Sequence, residues 1–547
     1  MSQSSRRQKK EQYKRLEKDS NLKSTFKTIG YFIFKNFILL LWIVIDYVLE
    51  AFLGWYLGEK KSCPPLKKDF FVANSAVEIA EMIRNKKITA YEVVKAYINR
   101  ITEVNPVLNA VIDGPFLEAL EEAQLIDKRI QNGEVTEEEF SKKPFLGVPF
   151  TTKDSTAVKG KIYSFCILAR KNVRATEDAE CVKLMKEAGA IIIATTSIPE
   201  VNKWQETRNN IIGNTNNPFD TRRTAGGSSG GEAALIAAGA SAFGIGTDIG
   251  GSIRMPTFYC GLFGHKGTVK IVNTRGVTER TGKEEHTMVV AGPITRYAKD
   301  LLPLFKVLAG PKNCTALKLN SSVDLTKLKY YYIDESGDIK CTPVSGEMKS
   351  AMKKVVTHFQ QLTKQPVEKV TLPGTEQTSK MWRYWMTQEP AIFNTLLGNG
   401  KRLNPYIELL KKLTGQSEYT WGAIYSLIDE LLPQENEKKM REVTKICEEA
   451  FENLLGDDGI LFYPSYTRTA PFHYAPLIQI YNFSYWALFN VLKNPATQVP
   501  LGVDCNGMPL GIQIVATKNR DLHCMKVAEE IERAFGGFVP PFTVERN

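Results

Sequence analysis

The chain has 547 residues, of which 43% are hydrophobic and 24% are charged, the balance of a globular protein with a substantial core. Its nine cysteines form no CxxC pair and show no metal-ligand spacing, so we expect reduced thiols and no metal site. The net charge of +11 is unevenly spread, because residues 1–27 contain nine Lys or Arg residues and three acids. The basic character is therefore largely that of a tail, predicted to cover residues 1–28.

An apolar stretch at residues 29–57 follows the tail. It is too long for the apolar region of a signal peptide, and no small-residue cleavage site follows it. The 21-residue window Ile29–Leu49 is long enough to span a bilayer, and we expect Lys35 and Asp46 to snorkel near its ends. The pattern favours a single membrane span; an interfacial or hairpin anchor and a buried helix stay open. A basic tail beside such a segment favours a membrane over nucleic acid as the partner.

Residues 58–69 are predicted to form a linker, and from residue 70 helical and strand patterns alternate. Helices are predicted at Ala76–Arg84 with Ser75 as cap, Thr89–Ile101, Ala179–Gly189 and Glu232–Gly239. Strands are predicted at Leu146–Thr152, Ala190–Thr195, Ala242–Gly246, Lys329–Ile333, Ile460–Tyr463 and Leu510–Val515. This alternation predicts one α/β domain over residues 70–547, with helices on both faces of its sheet.

A helical, aromatic-rich insert is predicted near residues 380–433. Its aromatic residues are Trp382, Tyr384, Trp385, Phe393, Tyr406, Tyr419, Trp421 and Tyr425. Such an insert is typical of a cap that faces substrate or membrane, and equally of ordinary helical packing, since aromatic residues at helical spacing are often core.

Two glycine–serine clusters, Gly226–Gly231 and Gly250–Ser252, are separated by one predicted helix and one predicted strand. Glycine-rich turns expose backbone N–H groups that can hold a phosphate or the oxyanion of acyl transfer. The phosphate interpretation is weak, because the chain has no GxxxxGK[ST] motif. The oxyanion interpretation needs a nucleophile, and Ser252 directly follows two glycines.

The first cluster also contains the literal pattern G-x-S-x-G, which would make Ser228 the nucleophile of a histidine-dependent hydrolase. The five histidines are His265, His286, His358, His473 and His523. Only His473 and His523 come late enough to serve as the base, and no HGGG loop precedes the pattern. This alternative stays open as the weaker one.

Four ordered motifs identify a family. They are GVPFTTKDS at residues 147–155, GNTNNPFDTRRTAGGSSGGE at 213–232, GTDIGGSIRMP at 246–256 and GMPLGIQIVA at 507–516. With them, residues 70–540 resemble the amidase signature family, and within it the membrane-anchored type 2 fatty-acid amide hydrolases. The resemblance implies the amidase signature fold, a large twisted mixed sheet flanked by helices on both faces, here with an N-terminal membrane helix.

The resemblance also implies the site. Ser252 aligns with the family's nucleophile, Ser228 with a serine that follows a cis peptide bond, and Lys153 with the catalytic base. The implied oxyanion donors are the N–H groups of Ile249, Gly250, Gly251 and Ser252, and the implied supporting residues are Ser229, Asp248 and Arg254, the last two as a pair. A lysine acts as a base only when it is neutral, so we expect burial to lower the pKa of Lys153.

The expected reaction is hydrolysis of fatty-acid amides, of the oleamide or N-acylethanolamine class, to free acid and amine through an acyl-enzyme. The expected partners are a lipid amide and a membrane, at an endomembrane or a lipid droplet, with a homodimer left open. No cofactor, metal or nucleic acid is implied. Two other functions stay open: an amidase or esterase for small soluble substrates, and a non-catalytic membrane-anchored binding protein.

Overall fold

The computed structural model describes residues 25–66, 74–389 and 393–544, with side chains from residue 34 onward. Most of the predicted basic tail, and the end of the predicted linker at residues 67–69, lie outside these residues. The structure therefore bears on the apolar segment, the α/β domain and the aromatic-rich insert.

Two sheets are formed by the strands of the described residues. In chain order the strands are β1 Val111–Asp113, β2 Pro149–Lys153, β3 Ile191–Thr196, β4 Arg208–Asn209, β5 Gly213–Asn214, β6 Phe243–Asp248, β7 Phe263–Lys266, β8 Val290–Thr295, β9 Lys329–Tyr332, β10 Glu368–Lys369, β11 Gly459–Pro464, β12 Ala496–Val503 and β13 Pro509–Val515. Eleven of them form one sheet in the order β1-β3-β2-β6-β8-β7-β12-β13-β11-β9-β10, and β4 pairs with β5 alone.

The helices number seventeen within the described residues. They are α1 Thr25–Tyr56, α2 Ala76–Arg84, α3 Ala90–Leu108, α4 Glu118–Gln131, α5 Glu137–Lys142, α6 Glu180–Glu187, α7 Gly230–Ala237, α8 Arg254–Tyr259, α9 Ala298–Ala316, α10 Gly346–Thr363, α11 Thr378–Met386, α12 Phe393–Leu397, α13 Pro405–Leu413, α14 Trp421–Asp429, α15 Glu437–Leu455, α16 Ser484–Val491 and α17 Asp521–Phe535.

The large sheet is mixed, as predicted. Strand β2 runs parallel to β3 and β6, whereas β6 runs antiparallel to β8. All residues of β2, β3, β6 and β8 are buried, which is expected of strands covered by helices on both faces. Because β2 and β6 are parallel neighbours, their carboxyl ends meet at one edge of the sheet, where α/β folds place their ligands.

Local signals explain several helix starts. Ser75 accepts from the Glu78 N–H while the Glu78 side chain accepts from the Ser75 N–H, so α2 begins with a complete capping box, as predicted. Thr89 and Glu92 repeat the arrangement at α3. Helix α3 runs beyond the predicted Ile101 to Leu108, because its buried positions continue through Val104.

Helix α1 covers nearly all of the predicted membrane segment, and its 23-residue part Phe34–Tyr56 is long and apolar enough to cross a membrane, with a mean hydropathy of 2.1 in an 18-residue window. One side of this helix packs against the α/β domain. The Trp42 Nε1 donates to the Ile339 carbonyl at 3.0 Å, and Gln479 Nε2 donates to Asp46 Oδ1 at 2.7 Å.

The same side of α1 makes further contacts one and two helical turns beyond Asp46. Arg223 pairs with Glu50 at 3.0 Å, and Leu53 packs on Phe472. The expectation that Asp46 snorkels toward a membrane surface is wrong: the side chain is buried between α1 and the domain, where Gln479 satisfies it.

The aromatic-rich insert contains both buried and exposed apolar side chains. Met381 and Tyr384 of α11 are buried in the core. Helix α13 instead exposes Tyr406, Leu410 and Leu413, each more than three-fifths accessible. Ordinary packing therefore describes these two side chains of α11, and α13 presents an uncovered apolar surface.

Candidate active site

Lys153, the last residue of β2, is fully buried at the carboxyl edge of the sheet. Its Nζ donates to Ser228 Oγ at 2.8 Å and to Thr247 Oγ1 at 2.6 Å. Burial lowers the pKa of Lys153 to about 7, although the Asp248 and Glu232 carboxylates oppose that shift. A lysine with such a pKa is substantially neutral near neutral pH and can then accept a proton.

A second buried carboxyl lies near this lysine. Glu232, on α7, accepts hydrogen bonds from Thr151 Oγ1 at 2.9 Å and from Thr196 Oγ1 at 2.6 Å. Burial raises the pKa of Glu232 to about 8 despite these two bonds. Because this pKa lies above 7, Glu232 is largely uncharged near neutral pH and does not hold Lys153 in its charged form as a full ion-pair partner would.

Ser228 is fully buried and follows a cis peptide bond from Gly227, the isomer that the resemblance implies. A Cβ at Gly227 would lie 2.3 Å from the Trp204 carbonyl oxygen, so only glycine fits there. The next residue, Ser229, donates its N–H to the Ser252 carbonyl at 3.2 Å. The two glycine–serine clusters, distant in sequence, are thus joined by a direct backbone hydrogen bond.

Asp248, the last residue of β6, organises the loop that carries Ser252. Its carboxylate accepts from the Gly251 N–H at 2.7 Å and from the Ile253 N–H at 3.1 Å, and it pairs with Arg254 Nε at 3.1 Å. Burial alone would raise the pKa of Asp248, but Arg254 and its hydrogen bonds hold that pKa well below the usual range. A permanently charged carboxylate therefore fixes the turn.

Residues far along the chain complete this arrangement. Arg254 also donates to Gln513 Oε1 at 2.7 Å and to Asn490 Oδ1 at 2.6 Å, and Asn490 Nδ2 donates to Asp248 at 2.8 Å. Gly251 adopts a φ of +119°, and a Cβ there would lie 2.5 Å from the Trp486 side chain. The turn is therefore held by side-chain hydrogen bonds on one side and close packing on the other.

The four predicted oxyanion donors are not equivalent. The Gly251 N–H is taken up by Asp248, and of the four residues Ile249, Gly250 and Ser252 line the adjoining cavity. Trp382 of α11 donates from Nε1 to the Ile249 carbonyl at 2.9 Å, which fixes the orientation of the peptide bond between Ile249 and Gly250. The N–H groups of three residues therefore remain as candidate donors to an oxyanion in the cavity.

A cavity of about 240 Å³ opens at these residues, with Ser228 and Ser252 both in its wall. Its apolar lining includes Val201, Trp204, Met255, Val277, Val289, Trp382, Met386, Phe393, Leu396, Tyr425, Leu432, Ile480, Tyr481 and Phe483. Ser252 is 8% exposed, so its hydroxyl is reachable only from this cavity. The mostly apolar lining suits a ligand with an apolar portion.

None of the five histidines lines this cavity. His473 Nδ1 lies 2.9 Å from Glu206, His265 Nε2 lies 3.2 Å from Asp521, and His358 Nε2 lies 2.7 Å from Glu530. Each of these three imidazoles is thus paired with a carboxylate, and none of them is bonded to Ser228 or Ser252 in the described residues. In the described residues no group of three or more His, Cys, Asp or Glu side chains could hold a metal ion.

Sequence reasoning missed four residues of the site: Thr247, Glu232, Asn490 and Trp382. Thr247 and Glu232 stand inside the quoted motifs, and their burial beside Lys153 distinguishes them only in three dimensions. Asn490 has no local signal. Trp382 belongs to the aromatic-rich insert, where nothing in the sequence separates it from its neighbour Trp385.

The family model for amidases matches residues 92–525. The human fatty-acid amide hydrolase 2 (Homo sapiens) is 39% identical over 481 residues, covering 85% of this chain and 90% of the relative. An acylamidase from Rhodococcus erythropolis is 27% identical over 471 residues, covering 84% of this chain and 94% of the relative.

Solved structures share the fold. A fatty acid amide hydrolase superposes with a TM-score of 0.70 at 21% identity, over 87% of each chain. A 6-aminohexanoate cyclic dimer hydrolase superposes with a TM-score of 0.67 at 23% identity, over 86% of this chain and 98% of the other. Similarity at this level of identity establishes the architecture.

Proposed function

Because the chain belongs to the amidase signature family and is an amide hydrolase, we propose that it cleaves fatty-acid amides of the oleamide or N-acylethanolamine class with Ser252, Ser228 and Lys153. The observation that supports this most is the buried lysine bonded to Ser228 at the wall of an apolar cavity that also contains Ser252. Esterases and binding proteins do not require a neutral buried lysine, whereas a poor amine leaving group requires a proton.

The first half of the reaction forms the acyl-enzyme. Neutral Lys153 accepts the Ser228 hydroxyl proton while Ser228 accepts the proton of Ser252, whose Oγ forms a bond to the amide carbon. The carbonyl oxygen becomes an oxyanion held by the N–H groups of Ile249, Gly250 and Ser252. The carbon–nitrogen bond then breaks as the relay returns the proton to the departing amine.

The second half releases the acid. A water molecule attacks the ester carbon and gives one proton to the same relay, and Ser252 leaves with that proton restored to its Oγ. The products are a free fatty acid and an amine. Asp248 and Arg254 hold the nucleophile loop throughout without exchanging a proton.

We place the enzyme at a membrane, at an endomembrane or lipid-droplet surface. Helix α1 exposes Phe37, Leu40, Ile43 and Tyr47 on the side that faces away from the domain, and α13 exposes its own apolar row. Uncovered apolar side chains of this number are costly in water and favourable in lipid. A substrate dissolved in the bilayer would then reach the cavity without crossing water.

Labelling with a fluorophosphonate probe tests the nucleophile. The wild type should label, and Ser252→Ala should not. Ser228→Ala should label far more slowly, because the relay is broken. Ser484→Ala is the matched control, since Ser484 is also buried and its hydroxyl has no hydrogen-bond partner in the described residues. Full labelling of Ser252→Ala would overturn the assignment.

The substrate class is tested separately by turnover of oleamide and of butyramide. A higher kcat/KM for oleamide supports the lipid assignment. A preference for butyramide would make the protein an amidase of small soluble amides with the same triad.

A further inference from the structure

Residues 479–483, here called the wall segment, form one side of the cavity. The side chains of Ile480, Tyr481 and Phe483 line the cavity directly. The Phe483 ring packs edge-on against the Trp382 ring, with 4.8 Å between the two ring centres. The position of the wall segment therefore helps to set the shape of the space in which a substrate meets the nucleophile.

Helix α1 holds the first residue of the wall segment. Gln479 Nε2 donates to Asp46 Oδ1 at 2.7 Å, and each of the two residues is only 3% exposed. Gln479 Oε1 accepts from the Tyr466 hydroxyl at 3.4 Å, so both ends of the amide have a partner. Arg468 Nε lies 3.8 Å from Asp46 Oδ2 and supplies a counter-charge. The carboxylate acceptor makes this a charge-assisted hydrogen bond, which is stronger than a bond between neutral groups.

The next residue of the wall segment is bonded to a chain that packs against the Ser228 loop. Gln205 Nε2 donates to the Ile480 carbonyl at 2.9 Å, and Gln205 itself lines the cavity. A Cβ at Gly227, which precedes Ser228, would lie 3.1 Å from the Gln205 carbonyl carbon. The wall segment is thus bonded to α1 at one residue and to the surroundings of Ser228 at the next.

The other polar contacts of this side of α1 lead elsewhere. Trp42 donates to the Ile339 carbonyl, and Glu50 pairs with Arg223. The cavity lining formed by the described residues includes neither Ile339 nor Arg223. Of these three polar contacts, that of Asp46 is therefore the one that leads directly to the cavity wall.

We propose that Asp46 is a positioning residue for substrate binding, which holds the wall segment in place through Gln479, so that α1 serves the binding site as well as the membrane. The inference rests on the proposed function, because it takes this cavity as the place where a fatty-acid amide binds. Asp46 itself touches neither the substrate nor the reacting atoms. Its loss would shift Ile480 and its neighbours, and would weaken substrate binding more than it slows the chemistry at Ser252.

The test measures turnover of oleamide by the full-length enzyme in phosphatidylcholine vesicles. We expect Asp46→Leu to raise KM by about tenfold or more, the usual size of a lost charged hydrogen bond, and to change kcat by less than about threefold. Asp46→Asn keeps a carbonyl oxygen that can accept from Gln479, so its KM should stay near the wild-type value. Glu50→Leu is the matched control, because it removes a contact from the same side of α1 that does not reach the cavity, and it should leave KM unchanged.

Gln479→Met removes the same hydrogen bond from the other partner and leaves α1 intact. It should raise KM as Asp46→Leu does. The double variant should show no larger rise than either single variant, because one bond is lost in all three. Fluorophosphonate labelling of Ser252 reports whether each variant is folded, and Gln479→Met alone decides the outcome if Asp46→Leu does not fold.

An unchanged KM in either folded variant would overturn the inference, and so would an equal rise of KM in Glu50→Leu. Loss of both labelling and turnover in Asp46→Leu and in Gln479→Met would show that the bond only stabilises the fold, which also overturns it. In each of these cases the wild type still hydrolyses oleamide, and the proposed function stands. A wild type inactive on oleamide would instead overturn the proposed function.

Discussion

The strand-end loops that carry Lys153, Ser228 and Ser252 differ sharply from the helical wall that faces them across the cavity. In the loops, buried polar groups are held by close, directed hydrogen bonds, such as those around Asp248. The wall formed by α11, α12 and α14 is rich in aromatic residues and partly exposed, and Trp382 joins it to the loops. In the proposed function, the first region carries out the reaction and the second selects the molecule that reaches it.

Removing the lysine should have the largest effect on the first region. We expect Lys153→Met to lower kcat by about a hundredfold to ten-thousandfold, the range for loss of a positioned base. In the wild type the neutral form accumulates as pH rises through about 7, so kcat/KM should rise with pH there, and the residual rate of Lys153→Met should lose that dependence. A wild-type rate that falls between pH 6 and 8 would contradict this role.

Removing the charge of Asp248 tests how tightly the loops are held. Asp248→Asn leaves Arg254 buried and unpaired, so we expect the free energy of unfolding to fall by about 3–5 kcal/mol. The exposed pair of Glu138 and Lys142, at 2.7 Å, provides the contrast. Glu138→Gln should change stability by less than about 1 kcal/mol. Equal losses in denaturant melts would mean that the Asp248 network is no stronger than a surface pair.

A change on the outer wall should alter membrane binding and leave chemistry unchanged. Leu410 of α13 is 63% exposed, and Leu125 of α4 is 62% exposed on the α/β domain. We expect Leu410→Gln to weaken partitioning into phosphatidylcholine vesicles by about tenfold, the value of one apolar side chain taken from water. Leu125→Gln should not weaken it. Equal partitioning of both variants and the wild type would show that α13 does not enter lipid.

The smallest expected effect tests a direct link between the two regions. Trp382→Phe keeps an aromatic ring in the wall but removes the hydrogen bond to the Ile249 carbonyl. We expect kcat to fall by about twofold to tenfold, the net value of one hydrogen bond, with less change in KM. Trp385→Phe, which breaks a bond to Thr444 outside the cavity at 3.0 Å, should leave kcat unchanged.

The sequence predicted the first region much better than the second. The helix Ala76–Arg84 and the approximate positions of β2 and β6 follow from capping signals and short apolar runs, which are local, and the mixed sheet follows from the family resemblance. The contacts of Asn490 and Gln513 with the nucleophile loop are not local, because they join segments more than two hundred residues apart. No short-range pattern encodes such a contact.

Asp46 was misread for a related reason. A hydropathy window averages over all sides of a helix. It cannot show that polar side chains on one side form hydrogen bonds with another segment of the chain. Trp42, Asp46 and Glu50 recur every four residues and so form one stripe along α1. That spacing was visible in the sequence, but the groups it meets, Ile339, Gln479 and Arg223, come from three separate segments.

The contacts of this stripe fix the orientation of α1 against the α/β domain, so the helix is not a flexible anchor. The helix contacts the α/β domain through Trp42, Asp46 and Glu50. Residues 25–41 extend about 26 Å beyond these contacts at the rise of an α-helix. These contacts set the angle between α1 and the α/β domain. If α1 lies in a bilayer, as we propose, a change in the tilt of this helix also tilts the cavity mouth, and membrane thickness and curvature would then alter the access of substrate to Ser252.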